Sequence, residues 1–173
     1  MKNIVLVGFM GTGKTVVAKK LARMLKMRYR EVDSVIEQRQ GMKINDIFKI
    51  KGEAFFRDAE SRVIKELADQ KGLVISAGGG AVLRRENVED LERKGVLICL
   101  SASAKVIYQR IREETHRPLL KVANPRAEIK RLMETRRPLY GKIKKQINTD
   151  DKNVDQVVEE IKRMVYEEDQ SCA

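Results

Sequence analysis

An α/β fold, with a parallel sheet covered by helices on both faces, is predicted by three observations. Short apolar runs rich in branched residues, "NIVLVG", "LVISAGGG" and "GVLICLS", have the unbroken hydrophobicity of strands buried on both sides. Between such runs, apolar residues return at helical spacing. The first run also leads straight into a glycine-rich turn, "GFMGTGKT" (Gly8 to Thr15), with helical spacing resuming after it. Strands separated by helices imply a parallel, three-layer α/β/α arrangement.

Along the chain, "NIVLVG" is the first strand, and Val17, Leu21, Met24 and Leu25 mark a helix from Lys14 to about Lys26. "RYREVD" reads as a second strand ending at Asp33. Helical segments follow, with Ile44, Ile47 and Phe48 on one face and "GEAFFRDAESRVIKELADQ" as a longer helix. After the strands "LVIS" and "GVLICLS", a helix runs from about Ala104 to Arg112. "EETHRPLLKVANP" is polar, carries Pro118 and Pro125 and lacks clean periodicity, so a mobile loop is expected. A helix ending near Tyr140, a short strand around "KKQINT" and a helix from about Val154 to Tyr166 close the chain, and no internal repeat is visible.

Composition narrows the function classes. The 173 residues suit one compact domain with a real core, and 42% apolar with 35% charged residues describes a globular protein with an ionised surface. No apolar stretch approaches the roughly 20 residues of a membrane span. The apolar start runs into the glycine loop without a small-residue cleavage site, so no secretory signal is read there and the expected location is the cytoplasm. Two cysteines, Cys99 in an apolar run and Cys172 near the end, are too few for a disulfide framework. A single histidine, His116, leaves little for histidine metal clusters or a serine–histidine triad. The net charge of +11 is spread along the chain among acidic residues, and 5% aromatics with no Trp offer few stacking platforms. No nucleic-acid partner is expected; anionic small substrates also favour a positive cleft.

"GFMGTGKT" matches the phosphate-loop pattern G-x-x-x-x-G-K-[ST]. Gly8, Gly11 and Gly13 permit the backbone angles that aim successive N–H groups at one point and let phosphate oxygens approach. The helix N-terminus adds partial positive charge there. Lys14 is placed to reach the β- and γ-phosphates, and the Thr15 hydroxyl to ligate Mg²⁺. The dinucleotide pattern G-x-G-x-x-G fails, because its third glycine would fall at Val16.

Three features bear on where the phosphate goes. Asp33, at a sheet's C-terminal edge, can orient a hydroxyl or accept its proton, or serve as a helix N-cap. Arg57 and Glu60 are three apart on a helix, so Glu60 can hold the guanidinium; alone, that spacing fits a surface ion pair. "SAGGGAV" removes side chains from three successive positions, so something presses against that backbone.

The ordered set "GFMGTGKT", "VDSVIEQRQGMKINDIF", "GEAFFRDAE", "SAGGGAV", "RPLL" and "RRPLY" resembles the shikimate kinase family over nearly the whole chain. The resemblance implies a five-stranded parallel sheet like that of nucleoside monophosphate kinases, a helical substrate-binding region at about 33–61 and a lid at about 112–124. It implies transfer of the γ-phosphate of ATP, with Mg²⁺, to the 3-hydroxyl of shikimate, by a monomer. On it, Gly11, Thr12, Gly13, Lys14 and Thr15 take the ATP phosphates and the metal, and Asp33 holds the substrate hydroxyls. Arg57 and Arg136 resemble the arginines that grip the shikimate carboxylate, and Gly78, Gly79 and Gly80 the wall of that pocket. Arg117 resembles the lid arginine near the transferring phosphate, Arg110 one that stacks near adenine, and Ser76 a serine supporting the magnesium shell. The loop "NTDDKN", with Lys152, is the expected adenine contact. Many members read D-x-D at the end of the second strand; here "EVD" puts Glu31 in the first position, with a longer side chain that leaves open whether it acts on the metal.

A gluconate kinase of the same fold also needs a phosphate loop, a lid and a carboxylate site. The glycine run and "GEAFFR" favour shikimate. Met10 stands where nucleoside monophosphate kinases usually carry proline. A non-catalytic nucleotide switch or a basic nucleic-acid-binding ATPase would not need Arg57, Arg136 and the glycine run in one pocket.

Overall fold

β1 (Asn3–Gly8) is buried at every position, and its side chains alternate between two cores. Val5 and Val7 enter one hydrophobic cluster, Ile4 and Leu6 the other. A strand whose two faces both meet protein must sit in the middle of a covered sheet. In the computed structural model, which describes residues 2–112 and 123–171 (side chains to 167), β1 occupies that position. The sheet is parallel and five-stranded, in the order β2-β3-β1-β4-β5. The other strands are β2 (Arg28–Glu31), β3 (Leu73–Ser76), β4 (Gly95–Ser101) and β5 (Lys145–Asn148).

α1 (Lys14–Met24) covers one face through Val17, Ala18, Leu21 and Ala22, beside α7 (Val154–Ser171) with Val157, Val158 and Ile161. The opposite face is covered by α2 (Val32–Gln40), α3 (Ile44–Asp69) and α4 (Arg85–Arg93). Near the glycine loop, α5 (Ala104–Ile111) and α6 (Pro125–Tyr140) pack Ile107, Ile111, Ile129 and Leu132 against Phe9 and Met10. α5 starts on a Ser103 cap and α6 on an Asn124 cap followed by Pro125, a residue suited to the first helical turn.

Two local differences from the sequence-based expectations matter. β2 ends at Glu31, two residues early, so Asp33 lies in the first turn of α2 and not on the strand. As expected, the helical stretch after Ile44 is in two parts: α3 is broken at Gly52, whose φ of 82° is outside helical space, and the longer part follows it. The helix α4 was not expected: "RENVEDLER" buries only Asn87 and Leu91 and carries almost no apolar signal.

Candidate active site

Two glycine stretches leave the C-terminal edge of the neighbouring strands β1 and β3, where ligands of open α/β sheets bind. After β1, Gly8, Gly11 and Gly13 have φ of 141°, 74° and 92°, in the region that favours glycine. α1 begins on Gly13 with no side-chain cap and no acidic residue in its first turn, so its N–H groups and positive end face the loop uncompensated. Lys14 Nζ donates to the carbonyls of Gly8 (2.8 Å) and Phe9 (2.9 Å), and Thr12 Oγ1 to Phe9 (2.8 Å). The lysine thus lies along the loop whose ligand it would neutralise.

Beside it is a cavity of about 670 Å³, lined by Met10, Glu31, Asp33, Phe48, Phe56, Arg57, Glu60, Gly78 to Gly80 and Arg136. Four segments converge there: the start of α2, the middle of α3, the turn after β3, and α6. Arg57, 12% exposed, donates Nη1 to Glu60 Oε2 at 2.7 Å and contacts Glu53 Oε1 at 3.1 Å. Its guanidinium also lies 5.1 Å from the Phe56 ring centre. Burial works against that charge, but Glu60 and Glu53 outweigh it and hold the guanidinium protonated more strongly than usual. Glu60 is 1% exposed; burial pushes its carboxyl up, and Arg57 only partly pulls it back. The pair is therefore no surface ion pair.

The glycine run is explained by what lies against it. A Cβ on Gly78 would sit 2.9 Å from Asp33 Oδ1 and 3.1 Å from Glu60 Oε1, and one on Gly80 only 2.1 Å from Arg57 Nη1. Arg136, 8% exposed, donates to the Gly79 carbonyl at 3.4 Å and stands over Phe9. Tyr140 donates to the same carbonyl at 2.5 Å. Two guanidinium groups and an aspartate thus surround an amphipathic pocket next to a phosphate loop. Planar guanidinium forks suit a carboxylate.

A family model described as shikimate kinase matches residues 10–166. The chain belongs to the shikimate kinase family. A shikimate kinase of Thermodesulfovibrio yellowstonii is 48% identical over 161 residues, 93% of each chain. A solved structure, the shikimate kinase of Acinetobacter baumannii in complex with shikimate, has a TM-score of 0.92 at 34% identity, covering 97% of this chain and 94% of that one. A gluconokinase from Sinorhizobium meliloti, 19% identical with a TM-score of 0.54 over 92% of this chain and 89% of that one, shares the fold alone.

In this shikimate kinase family member, Thr15 Oγ1 donates to Glu31 Oε1 at 2.7 Å, and Ser34 reaches Glu31 Oε2 at 3.3 Å. A hydroxyl and a carboxylate at a helix start form an all-oxygen donor set that fits Mg²⁺. Among the described residues no group of three or more His, Cys, Asp or Glu could hold a metal ion alone. Mg²⁺ takes one or two carboxylates plus phosphates and waters. Ser76 is buried at the end of β3, in register with Glu31.

The remaining expected residues are elsewhere on the rim. Arg110 donates to the Gly11 carbonyl (3.2 Å) and to Thr149 Oγ1 (3.0 Å) and O (2.7 Å), tying the phosphate loop to the segment after β5. Lys152 pairs with Glu160 of α7 at 2.5 Å. Arg117, His116 and most of the expected lid lie outside the described residues. No helix among the described residues is long and apolar enough to cross a membrane. Nothing in the sequence marked Phe48 and Phe56 as pocket residues, because each sits in an apolar pattern that reads equally as core, or Tyr140 as the donor to the Gly79 carbonyl behind the pocket wall.

Proposed function

We propose that the chain transfers the γ-phosphate of ATP to the 3-hydroxyl of shikimate, giving ADP and shikimate 3-phosphate, as its family name implies. The observation that carries this reading is the convergence of Arg57, Arg136, Asp33 and the glycine run on one cavity beside the phosphate loop. Residues 33–61 carry the acceptor region and about 112–124 the lid. The loop N–H groups of Gly11, Thr12 and Gly13 and the ammonium of Lys14 bind the phosphates, Lys14 leaving the Gly8 and Phe9 carbonyls to do so. Thr15 would hold Mg²⁺ and Glu31 would reach its water shell; the ion would supply neutralisation of the phosphate charge. Arg57 and Arg136 clamp the shikimate carboxylate, and Asp33 aligns the attacking hydroxyl and takes its proton late, as suits a loose transition state. Arg117 adds positive charge on closure, and exclusion of water keeps the phosphate from hydrolysis. Arg110 and Lys152 flank the adenine.

ADP release measured with shikimate, gluconate, AMP or no acceptor tests the reading. Magnesium-dependent turnover with shikimate alone is expected, and Lys14→Ala should lower kcat by about 10²–10³-fold. Arg136→Ala should weaken shikimate binding about 10–100-fold, the worth of a charged hydrogen bond, and leave ATP binding intact. Turnover independent of shikimate contradicts the proposal.

A further inference from the structure

Among the described residues, two buried polar atoms without a hydrogen-bond partner, the Tyr29 hydroxyl and Asn87 Oδ1, belong to residues that the mechanism does not use, and of the two Tyr29 is the one beside Thr15. The Tyr29 hydroxyl is shielded from solvent and has no hydrogen-bond partner among the described residues. An unsatisfied buried hydroxyl costs about 1–3 kcal/mol and asks for a reason.

Its surroundings follow from the strand. Tyr29 and Glu31 are two apart on β2 and so share a face of the sheet. Their partners in the parallel ladder are Val74 and Ser76, and Ser76 is paired in turn with Leu6. This is the face that α1 covers: the Tyr29 ring packs on the cluster holding Val17 and Leu21, and Lys19 Nζ stands 5.7 Å from its centre. Lys19 is one helical turn beyond Thr15, so the ring lies beneath the first turns of α1. A phenol is neutral near pH 7, and the polar neighbours of this one are Glu31, Thr15 and Ser76. The hydroxyl is therefore a neutral donor and acceptor beside Thr15 and Glu31, which are themselves bonded at 2.7 Å.

We infer that Tyr29 is a positioning residue of the magnesium site, its hydroxyl holding, with Glu31, a water of the magnesium–nucleotide complex at the start of α1. A neutral phenol is a poor direct ligand for Mg²⁺, whereas Mg²⁺ keeps several waters that need partners. Outer partners of this kind orient the groups that touch the metal. The inference rests on the proposed magnesium–ATP site but not on shikimate as acceptor.

Tyr29→Phe in the full chain tests it. Without nucleotide, deleting an unsatisfied hydroxyl should leave Tm unchanged or raise it. The further rise in Tm on adding ADP with Mg²⁺ should shrink. Mn²⁺ binding in the presence of ADP, followed by electron paramagnetic resonance, should weaken about tenfold. ADP binding without metal and the KM for shikimate should not move. In a double variant with Glu31→Gln, the two losses of Mn²⁺ affinity should be less than additive, because both act on one water. Unchanged Mn²⁺ affinity overturns the inference, as does a lower Tm in the absence of nucleotide with an undiminished increment from Mg²⁺ and ADP. Failure of the wild type to phosphorylate shikimate would instead strike the proposed acceptor and leave the metal measurement standing.

Discussion

The donor and acceptor halves of the site are built from different material. The phosphate loop is one contiguous stretch whose chemistry resides in backbone N–H groups, supported by Lys14. The acceptor pocket is assembled from side chains on α2, α3 and α6 against a wall stripped of side chains. Gly8 and Gly80 make the contrast concrete. A Cβ at either would come within 2.1 Å of an oxygen or nitrogen. At Gly8 that atom is the Leu100 carbonyl oxygen of β4, fixed in the sheet, and φ is 141°. At Gly80 it is the tip of the Arg57 side chain. Equal overlaps should therefore have unlike consequences: one must break the fold, the other need only move a functional group.

Gly8→Ala is the largest effect expected. Backbone strain and overlap each cost about 1–3 kcal/mol, so a loss of several kcal/mol should appear in denaturant unfolding, with nucleotide binding lost as well. Gly80→Ala should cost less stability than Gly8→Ala, the loss coming from the disturbed bond of Arg57 to the buried Glu60, and leave ATP binding intact. Its displaced guanidinium should raise the KM for shikimate about 10–100-fold, the worth of a charged hydrogen bond. If Gly80→Ala unfolded the protein as readily as Gly8→Ala, the distinction between the two halves would collapse.

A milder probe is Tyr140→Phe. It removes the 2.5 Å bond to the Gly79 carbonyl and leaves that oxygen the weaker Arg136 contact at 3.4 Å. Drawing Arg136 onto the carbonyl competes with its hold on the acceptor, so shikimate affinity should fall by about fivefold, the worth of roughly one neutral hydrogen bond. Steady-state kinetics that show an equal loss for ATP would place Tyr140 in the common scaffold instead.

The smallest effect concerns pH. Burial raises the Glu60 carboxyl above its ordinary range, so the folded chain holds that proton more tightly than the unfolded one. Its contribution to stability is full below the ordinary carboxylate value and is lost as pH rises through the raised value. Glu60→Gln removes this slope. Urea unfolding from acid to neutral pH should show the variant gaining on the wild type as pH rises; the opposite trend would mean that the Arg57 pair outweighs burial.

The two halves also differ in how far they could be read from sequence. The loop is local, so its spacing alone announced a phosphate site, and the unbroken apolar runs announced β1, β3 and β4. The pocket is non-local, and its local traces were the spacing of Arg57 and Glu60 on α3 and the glycine run after β3. Asp33 was expected on β2, yet the chain turns helical at Val32, which is fully buried and anchors α2. The short β2 has a polar, alternately exposed pattern that does not mark its own end. α4 escaped because only two apolar residues, Val88 and Leu91, stand in a charged stretch, too few to announce a helix although they lie at helical spacing. Neither Tyr29 nor Tyr140 stood out in the sequence, because the direction of a phenol tip is set by packing partners far away in the chain. The glycine run did announce a close approach. Part of what approaches proved to be the protein's own Asp33, Glu60 and Arg57.

The fate of the γ-phosphate tests the account most directly. Phosphorus NMR of a reaction containing the chain, Mg²⁺, ATP and shikimate should show loss of the γ resonance matched by one phosphate monoester, on the 3-hydroxyl of shikimate. Inorganic phosphate in its place, or an ester formed equally on gluconate, would contradict a pocket built for this acceptor.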